Sequence, residues 1–134
     1  MFGSLDVSAS ALVAQRTRLE TIAANVANSN SIYDADGNYA PYRRRFTVFA
    51  PGDPATGNKD GVHVARILFD SAPFVAKYMP GHPNADAQGN VYFPNVDPTM
   101  EAINALEASR AYEANITAAE ASKSMIQTSL RLLA

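Results

Sequence analysis

The sequence has no cysteine and only two histidines among its 134 residues. The lack of cysteine excludes disulfides, thiol catalysis and cysteine-based zinc sites. His63 and His82 are far apart, and neither is spaced with other ligands as a tetrahedral metal site requires. We interpret His63 as an ordinary strand residue and His82 as a turn residue, and we expect no metal and no other cofactor.

Positive and negative charges are nearly balanced in the chain. Eleven basic and thirteen acidic residues give a net charge of −2, which argues against a nucleic-acid-binding protein. No apolar run approaches the roughly 18 residues of a membrane span. The first residues have neither the basic region nor the apolar region of a signal peptide. We therefore expect no membrane insertion, and a protein that stays in the cytosol or is exported without a cleaved signal.

The usual catalytic motifs are also missing. There is no GxSxG, no Walker-type phosphate loop and no GxGxxG turn. Asp34, Asp36 and Asn38 alternate as calcium ligands do, but the glycine and glutamate positions of an EF-hand loop are not filled. We interpret the short basic run 43–45 as a solvated strand edge, because phosphate sites usually need more charge. We expect no enzymatic activity.

Proline and glycine are nearly absent from both ends of the chain. Seven of the eight prolines and six of the seven glycines lie within residues 31–95. Asp97 can cap a helix, and Pro98 suits its first position. After Pro98 the chain contains neither proline nor glycine. The pattern predicts one helix from Pro98 to about Leu133, roughly 54 Å long at 1.5 Å per residue.

This predicted helix has two apolar stripes where a surface helix needs one. The first follows an alternating spacing of four and three, as in a coiled-coil seam, and comprises Tyr112, Ile116, Ala119, Lys123, Ile126, Leu130 and Leu133. The second lies nearly opposite and comprises Ile103, Leu106, Ala114, Ala121, Met125 and Leu132. Because so short a chain has few elements to cover both stripes, we expect assembly with other subunits. Lys123 either fixes register against a neighbour or marks where the seam opens to solvent.

The N-terminal segment, from about Leu5 to Asn28, is also helical in pattern. Leu5, Leu12, Leu19 and Val26 recur every seven residues, with Ala9, Ile22 and Ala23 on the same side. Either Ser4 or Asp6 could cap its start. Asn25, Asn28 and Asn30 near its end are interpreted as a helix stop, because asparagine side chains compete for backbone hydrogen bonds.

The middle segment has the composition of a small β module. Turn signals occur at Asp36-Gly37, around Gly89 and at a loop tip spanning residues 53–58. Between them lie four predicted strands, Arg45–Phe49, Val62–Phe69, Phe74–Tyr78 and Val91–Phe93. We expect an α+β fold in which long terminal helices pair as a coiled coil and a small antiparallel meander is inserted between them. The predicted divisions are residues 1–30, 31–95 and 96–134.

Both ends of the chain resemble the flagellar rod and hook axial proteins. The opening motif is Arg18-Leu19 followed by Ile22-Ala23-Ala24-Asn25-Val26-Ala27-Asn28, and the closing motif is Ala108-Ser109-Arg110-Ala111-Tyr112-Glu113-Ala114-Asn115. Residues 80–97 are similar to the stretch before the final helix in the short, proximal-rod members of this family. The resemblance covers about half of the chain.

The resemblance implies a structural subunit of the proximal rod of the flagellar basal body, polymerising through its terminal helices into the torque-transmitting drive shaft. The implied partners are other rod subunits, copies of itself and the flagellar type III export apparatus, while contact with the surrounding basal-body rings stays open. The implied location is the rod, within the periplasmic space after export. The open alternatives are another short rod subunit and a soluble module whose helix pair binds one partner. The expected subunit-interface residues are Leu5, Leu12, Leu19, Ile22, Asn25, Val26, Asn28, Ile103, Leu106, Arg110, Tyr112, Asn115, Ile116, Lys123, Ile126, Leu130 and Leu133.

Overall fold

A computed structural model describes residues 2–55 and 57–134 of the chain. Its elements in order are α1 (Phe2–Ala27), β1 (Arg45–Asp53), β2 (Asn58–Phe69), β3 (Val75–Tyr78), β4 (Asn90–Phe93) and α2 (Pro98–Leu133). The predicted α+β class is confirmed, with the strands lying between two terminal helices in the sequence.

Helix α2 has the predicted bounds. The Asp97 carboxylate accepts the backbone N–H of Thr99 at 2.9 Å and that of Met100 at 3.5 Å. Pro98 occupies the first turn, where its missing N–H leaves no bond unmade. The helix then continues for 36 residues without a break.

Helix α1 begins earlier than the sequence suggests. It starts at Phe2, so the prediction that Ser4 or Asp6 caps its start is wrong. Gly3 is helical, since a single glycine costs a helix only about 1 kcal/mol relative to alanine. The helix ends at Ala27, and the side-chain N–H of Asn28 donates to the carbonyl of Ala24 at 2.9 Å. The helix-stop interpretation is therefore correct for Asn28.

The two helices run antiparallel. Asn25 near the end of α1 bonds to Glu101 near the start of α2 at 3.1 Å. Earlier in α1, Arg18 pairs with Glu107, further along α2, at 3.2 Å. Residue numbers thus rise along one helix as they fall along the other. In this register the residues of α2 after about 126 lie beyond the start of α1.

The side of α2 that is covered differs from the predicted seam. Its covered positions repeat at alternating spacings of four and three: Glu101, Ala105, Ala108, Tyr112, Asn115, Ala119, Ser122, Ile126 and Ser129. Only Tyr112, Ala119 and Ile126 belong to the predicted seam, and the predicted Ile116, Lys123, Leu130 and Leu133 are exposed. Half of the predicted seam is therefore covered, and its other half is replaced by small and polar residues such as Asn115 and Ser122, while Ala108 permits a close approach of the two helices.

The strands form two separate hairpins. Strand β1 pairs antiparallel with β2, from Arg45↔Phe69 to the tip at Asp53↔Asn58. Strand β3 pairs antiparallel with β4, from Val75↔Phe93 to Tyr78↔Asn90. The four strands are confirmed, but the single meander is wrong, since no ladder joins β2 to β3 in the described part of the chain. The loop between β2 and β3 is instead held by side chains from elsewhere.

Helix α1 lies between α2 and the first hairpin. The hydroxyl of Ser10 accepts the backbone N–H of Val62 in β2 at 3.1 Å. Gly61 allows this approach, since it has a φ of +92° and a Cβ there would lie 2.6 Å from the Ser10 Oγ. Among the described elements, α2 packs against α1 and against no strand. One face of α2 therefore has no covering element.

The buried apolar core is small. It comprises Ala14, Ile22, Ile32, Val91, Val96, Ala108 and Ile126. In the part of the chain described, neither helix is long and apolar enough to cross a membrane.

Candidate functional site: exposed helix faces on a buried polar junction

The Asn25 side chain makes four hydrogen bonds and is fully buried. Its side-chain N–H groups donate to the Arg45 carbonyl at 2.7 Å and to the Glu101 carboxylate at 3.1 Å. Its carbonyl oxygen accepts the Arg45 N–H and the Tyr42 hydroxyl, both at 3.0 Å. The amide is thereby satisfied at both ends. Its interpretation as a helix stop is wrong, and it lies within the subunit rather than on its surface.

Glu101 in the first turn of α2 is also buried, and its charge is paired. The Arg44 Nε donates to one Glu101 oxygen, and the other end of the guanidinium pairs with Asp70 at 3.2 Å. Burial by itself lowers the pKa of Arg44, but the hydrogen bonds and charges of Glu101 and Asp70 outweigh burial and raise it above its usual value. Arg44 thus stays charged between two carboxylates.

Asn95 and Arg43 extend this network to the loop between the hairpins. Asn95 accepts the Arg44 N–H at 2.9 Å and donates to the Asp70 and Ala72 carbonyls at 3.3 and 3.1 Å. Arg43 donates to the same two carbonyls at 2.8 and 3.0 Å, with its guanidinium over the Phe74 ring. These bonds replace the tight turn that a meander would need between β2 and β3.

We call this network the polar junction, and its members are Asn25, Arg43, Arg44, Asp70, Asn95 and Glu101. It joins the end of α1, the start of α2 and the bases of both hairpins. The prediction that residues 43–45 form a solvated strand edge holds only for Arg45, which is exposed at the start of β1, since Arg43 and Arg44 are partly covered and Arg44 is paired. A buried charge network of this kind specifies a geometry more than it adds stability. The junction therefore sets how the two helices and two hairpins are joined.

Above the junction, α2 exposes a set of large apolar side chains drawn from both predicted stripes. We call it the outer apolar face, and it comprises Ile103, Leu106, Ile116, Met125, Leu130, Leu132 and Leu133. Leu132 and Leu133 are the most exposed, at 83% and 85%. Together with Leu130 they leave the end of α2 apolar and uncovered, as at many protein–protein contact sites. This face is a candidate contact surface for other subunits.

The predicted interface residues are divided between the inside of the chain and its surface. Those already covered or partly covered within the chain are Leu5, Leu12, Leu19, Ile22, Asn25, Asn28, Tyr112, Asn115 and Ile126. Those left exposed are Val26, Ile103, Leu106, Arg110, Ile116, Lys123, Leu130 and Leu133. The exposed group clusters on α2, so this helix offers most of the predicted contact surface. Lys123 lies on the exposed side.

No metal site is evident among residues 2–55 and 57–134, where no group of three metal-ligating side chains occurs. The Asp34 carboxylate accepts the backbone N–H groups of Asn38 at 2.8 Å and Asp36 at 3.0 Å. The bond from Asn38 is the main cause that holds the pKa of Asp34 below its usual value. The Asp34 carboxylate thus stabilises the turn formed by residues 34–38.

Comparison with known proteins places this geometry in a family. A model described as "Flagella basal body rod protein" matches residues 5–31, and one described as "Flagellar basal body rod FlgEFG protein C-terminal" matches residues 87–132. The flagellar basal-body rod protein FlgC of Salmonella typhimurium is 45% identical over 131 residues, covering 95% of this chain and 93% of its own. The chain belongs to the FlgC family of flagellar basal-body rod proteins.

Other FlgC proteins show similar coverage. That of Yersinia enterocolitica is 42% identical over 95% of this chain, and that of Bacillus subtilis is 37% identical over 98% of it. The predicted family and the predicted location in the flagellar basal-body rod are confirmed. The relatives are named as rod proteins, in agreement with a structural role.

Sequence reasoning missed most of the polar junction. Asn25 lies in the opening motif, but Arg44, Asp70, Asn95 and Glu101 were assigned no role. The one signal for this network in the sequence was Glu101. Its carboxylate is in register with the covered positions of α2, and a buried charge needs a partner. The partner itself comes from a loop 57 residues away in sequence.

Proposed function

We propose that this structural subunit of the flagellar basal-body rod belongs to its proximal part, and that it polymerises through its terminal helices into the drive shaft that transmits torque. The observation that carries the proposal is the inverted packing of α2. Mostly small and polar residues face α1, with Tyr112 and Ile126 as the large exceptions, whereas large apolar residues such as Leu106 and Leu132 face outward.

The magnitude of this exposed surface favours assembly. Burying one large apolar side chain contributes about 1.5–3 kcal/mol. The outer apolar face has seven such side chains, several of them half covered already, so its burial is worth roughly 10 kcal/mol. That gain is comparable with the roughly 4–15 kcal/mol that association costs in lost freedom, and each rod subunit has several neighbours.

The contact is best explained as heterologous. An interface between different surfaces of two copies does not close on itself, and it generates a tube or filament if the rotation leaves the ring open. The four-three spacing of the covered positions supports a coiled-coil pairing of α1 with α2 within this assembly. We propose residues 1–30 and 96–134 as the rod-forming parts and residues 31–95 as a module that braces them.

The partners we propose are other rod subunits, copies of this chain and the type III export apparatus. A chain without cysteine and with a small buried core is suited to passage in an unfolded state. The polar junction supports the mechanical role, because it ties both helices to both hairpins and resists their rotation. Contact between the β module and the surrounding basal-body rings stays an open question.

The test is to place charge on the outer apolar face. The double substitution Leu132→Asp with Leu133→Asp is expected to abolish rod completion and swimming, as is deletion of residues 130–134. Thr117→Asp is the matched control, since Thr117 is exposed on α2 but lies outside the apolar helix end and is not part of that face. Rods are scored by electron microscopy of basal bodies, swimming in soft agar and self-association by light scattering. Normal swimming of the double variant would refute assembly through this face.

A further inference from the structure

A groove of about 670 Å³ runs between α1 and β2. On the helix side it is lined by Ser10, Val13, Ala14 and Thr17, and on the strand side by Asp53 and by residues 62–67, which include His63 and Arg66. Most of its lining surface is apolar, and Val13 and Ile67 within it are 66% and 49% exposed. The groove is therefore an open channel with apolar edges, wide enough to accept side chains from outside.

One end of the groove is acidic. A second hollow adjoins it at Ser10 and is lined by Asp6, Asp53 and Asp60. Asp6 and Asp60 are exposed there. A partner segment with a basic residue among apolar ones would match this surface.

The end of α2 has that composition. After Glu120 its only charged side chains are Lys123 and Arg131, and both are basic. Around Arg131 lie Leu130, Leu132 and Leu133, all at least 60% exposed. By the antiparallel register these residues lie beyond the start of α1, where no described element covers them.

The chain's own α2 end does not fill its own groove. Helix α1 separates the two, since α2 packs on α1 and contacts neither strand of the first hairpin in the described structure. Helix α2 also continues unbroken to Leu133 and has no bend that would return it. The occupant must come from another molecule.

We propose that the groove between α1 and β2 receives the end of α2, residues 127–134, from a second copy of this chain. The leucines enter the apolar channel, and Arg131 lies toward Asp53 and Asp60. Each copy then donates its helix end to one neighbour and accepts the end of another, which gives an open, heterologous series. This inference rests on the proposed function and names the surface that meets the end of α2.

The absence of cysteine allows a direct test by disulfide trapping in flagellated cells. One copy carries Val13→Cys and the other Leu132→Cys. Thiols held together at the millimolar effective concentration of a docked segment should crosslink about tenfold or more above thiols that meet by collision. The matched control pairs Val13→Cys with Ile103→Cys, an exposed residue near the other end of α2.

A charge exchange tests the orientation. Arg131→Glu should lower the yield of the Val13–Leu132 crosslink about two- to fivefold, as expected for an exposed charge pair, and Asp60→Arg in the accepting copy should restore it. Equal yields for the two cysteine pairs would overturn the proposal. So would capture of a different rod protein at Val13→Cys, or a Leu132–Leu132 crosslink as the main product. In each case a loss of swimming in the Leu132→Asp, Leu133→Asp variant would still support the proposed function.

Discussion

Asn25 offers the sharpest test of the polar junction. Replacing it by alanine removes four hydrogen bonds at once, two to the Arg45 backbone, one to Tyr42 and one to Glu101. Because Asn25 is fully buried, its former partners would be left in a space that bulk water does not reach. We expect Asn25→Ala to loosen the end of α1 from the start of α2.

The magnitude follows from the bond types. Three bonds join neutral partners and contribute about 1 kcal/mol each, while the bond to the Glu101 carboxylate contributes about 1.5–3 kcal/mol. A water molecule entering the vacated space would satisfy part of this bonding, so we expect a net loss of about 3–4 kcal/mol. Because domains of this size are stable by roughly 5–15 kcal/mol, the melting temperature should fall by about 10–15 °C.

The assay is urea denaturation of the isolated subunit, followed by far-ultraviolet circular dichroism. Asn28→Ala is the matched control from the same motif, because Asn28 bonds only to the neighbouring Ala24 and Ser31 at the helix end. It should cost less than about 1 kcal/mol. Equal losses for the two variants would refute the reasoning that Asn25 links the two helices.

Two further predictions concern the helix–hairpin contact and the helix ends. Gly61→Ala should destabilise the fold by about 2–3 kcal/mol, because the added methyl group meets Ser10 at a positive φ, whereas Gly57→Ala adds its methyl to open space and should cost only about 1 kcal/mol. Similar urea midpoints for these two variants would contradict that contact. In the isolated subunit, amide hydrogen exchange should be slowest near the polar junction and fastest in residues 127–134, and uniform protection along α2 would count against an uncovered helix end.

Much of the secondary structure could be predicted from local chemistry. Asp97 and Pro98 mark the start of α2 because capping and the missing proline N–H act within a single turn. Gly37 and Gly89 mark turns because they adopt positive φ values of 81° and 80°. These signals depend on neighbouring residues alone, so a single sequence contains them.

The orientation of α2 could not be predicted in the same way. A pattern of apolar residues favours Leu130 and Leu133 as inward positions, since it counts hydrophobicity alone. Leu130 and Leu133 are exposed because the antiparallel register places them beyond the start of α1, while small and polar residues such as Ala108 and Ser122 take covered positions nearer the polar junction. In a protein that assembles, the positions of apolar residues depend on contacts with neighbouring subunits as well as on the protein's own core.

The sequence by itself determined the two long helices, the position of the β segment and the family, because each depends on residues close together in the chain. Only the tertiary structure decided which stripe of α2 is covered and which stays free for assembly. That choice depends on Asn25 and Glu101, which are 76 residues apart and meet at 3.1 Å. A buried amide and a buried carboxylate must each find partners, and this requirement, rather than hydrophobicity, sets the rotation of the helix.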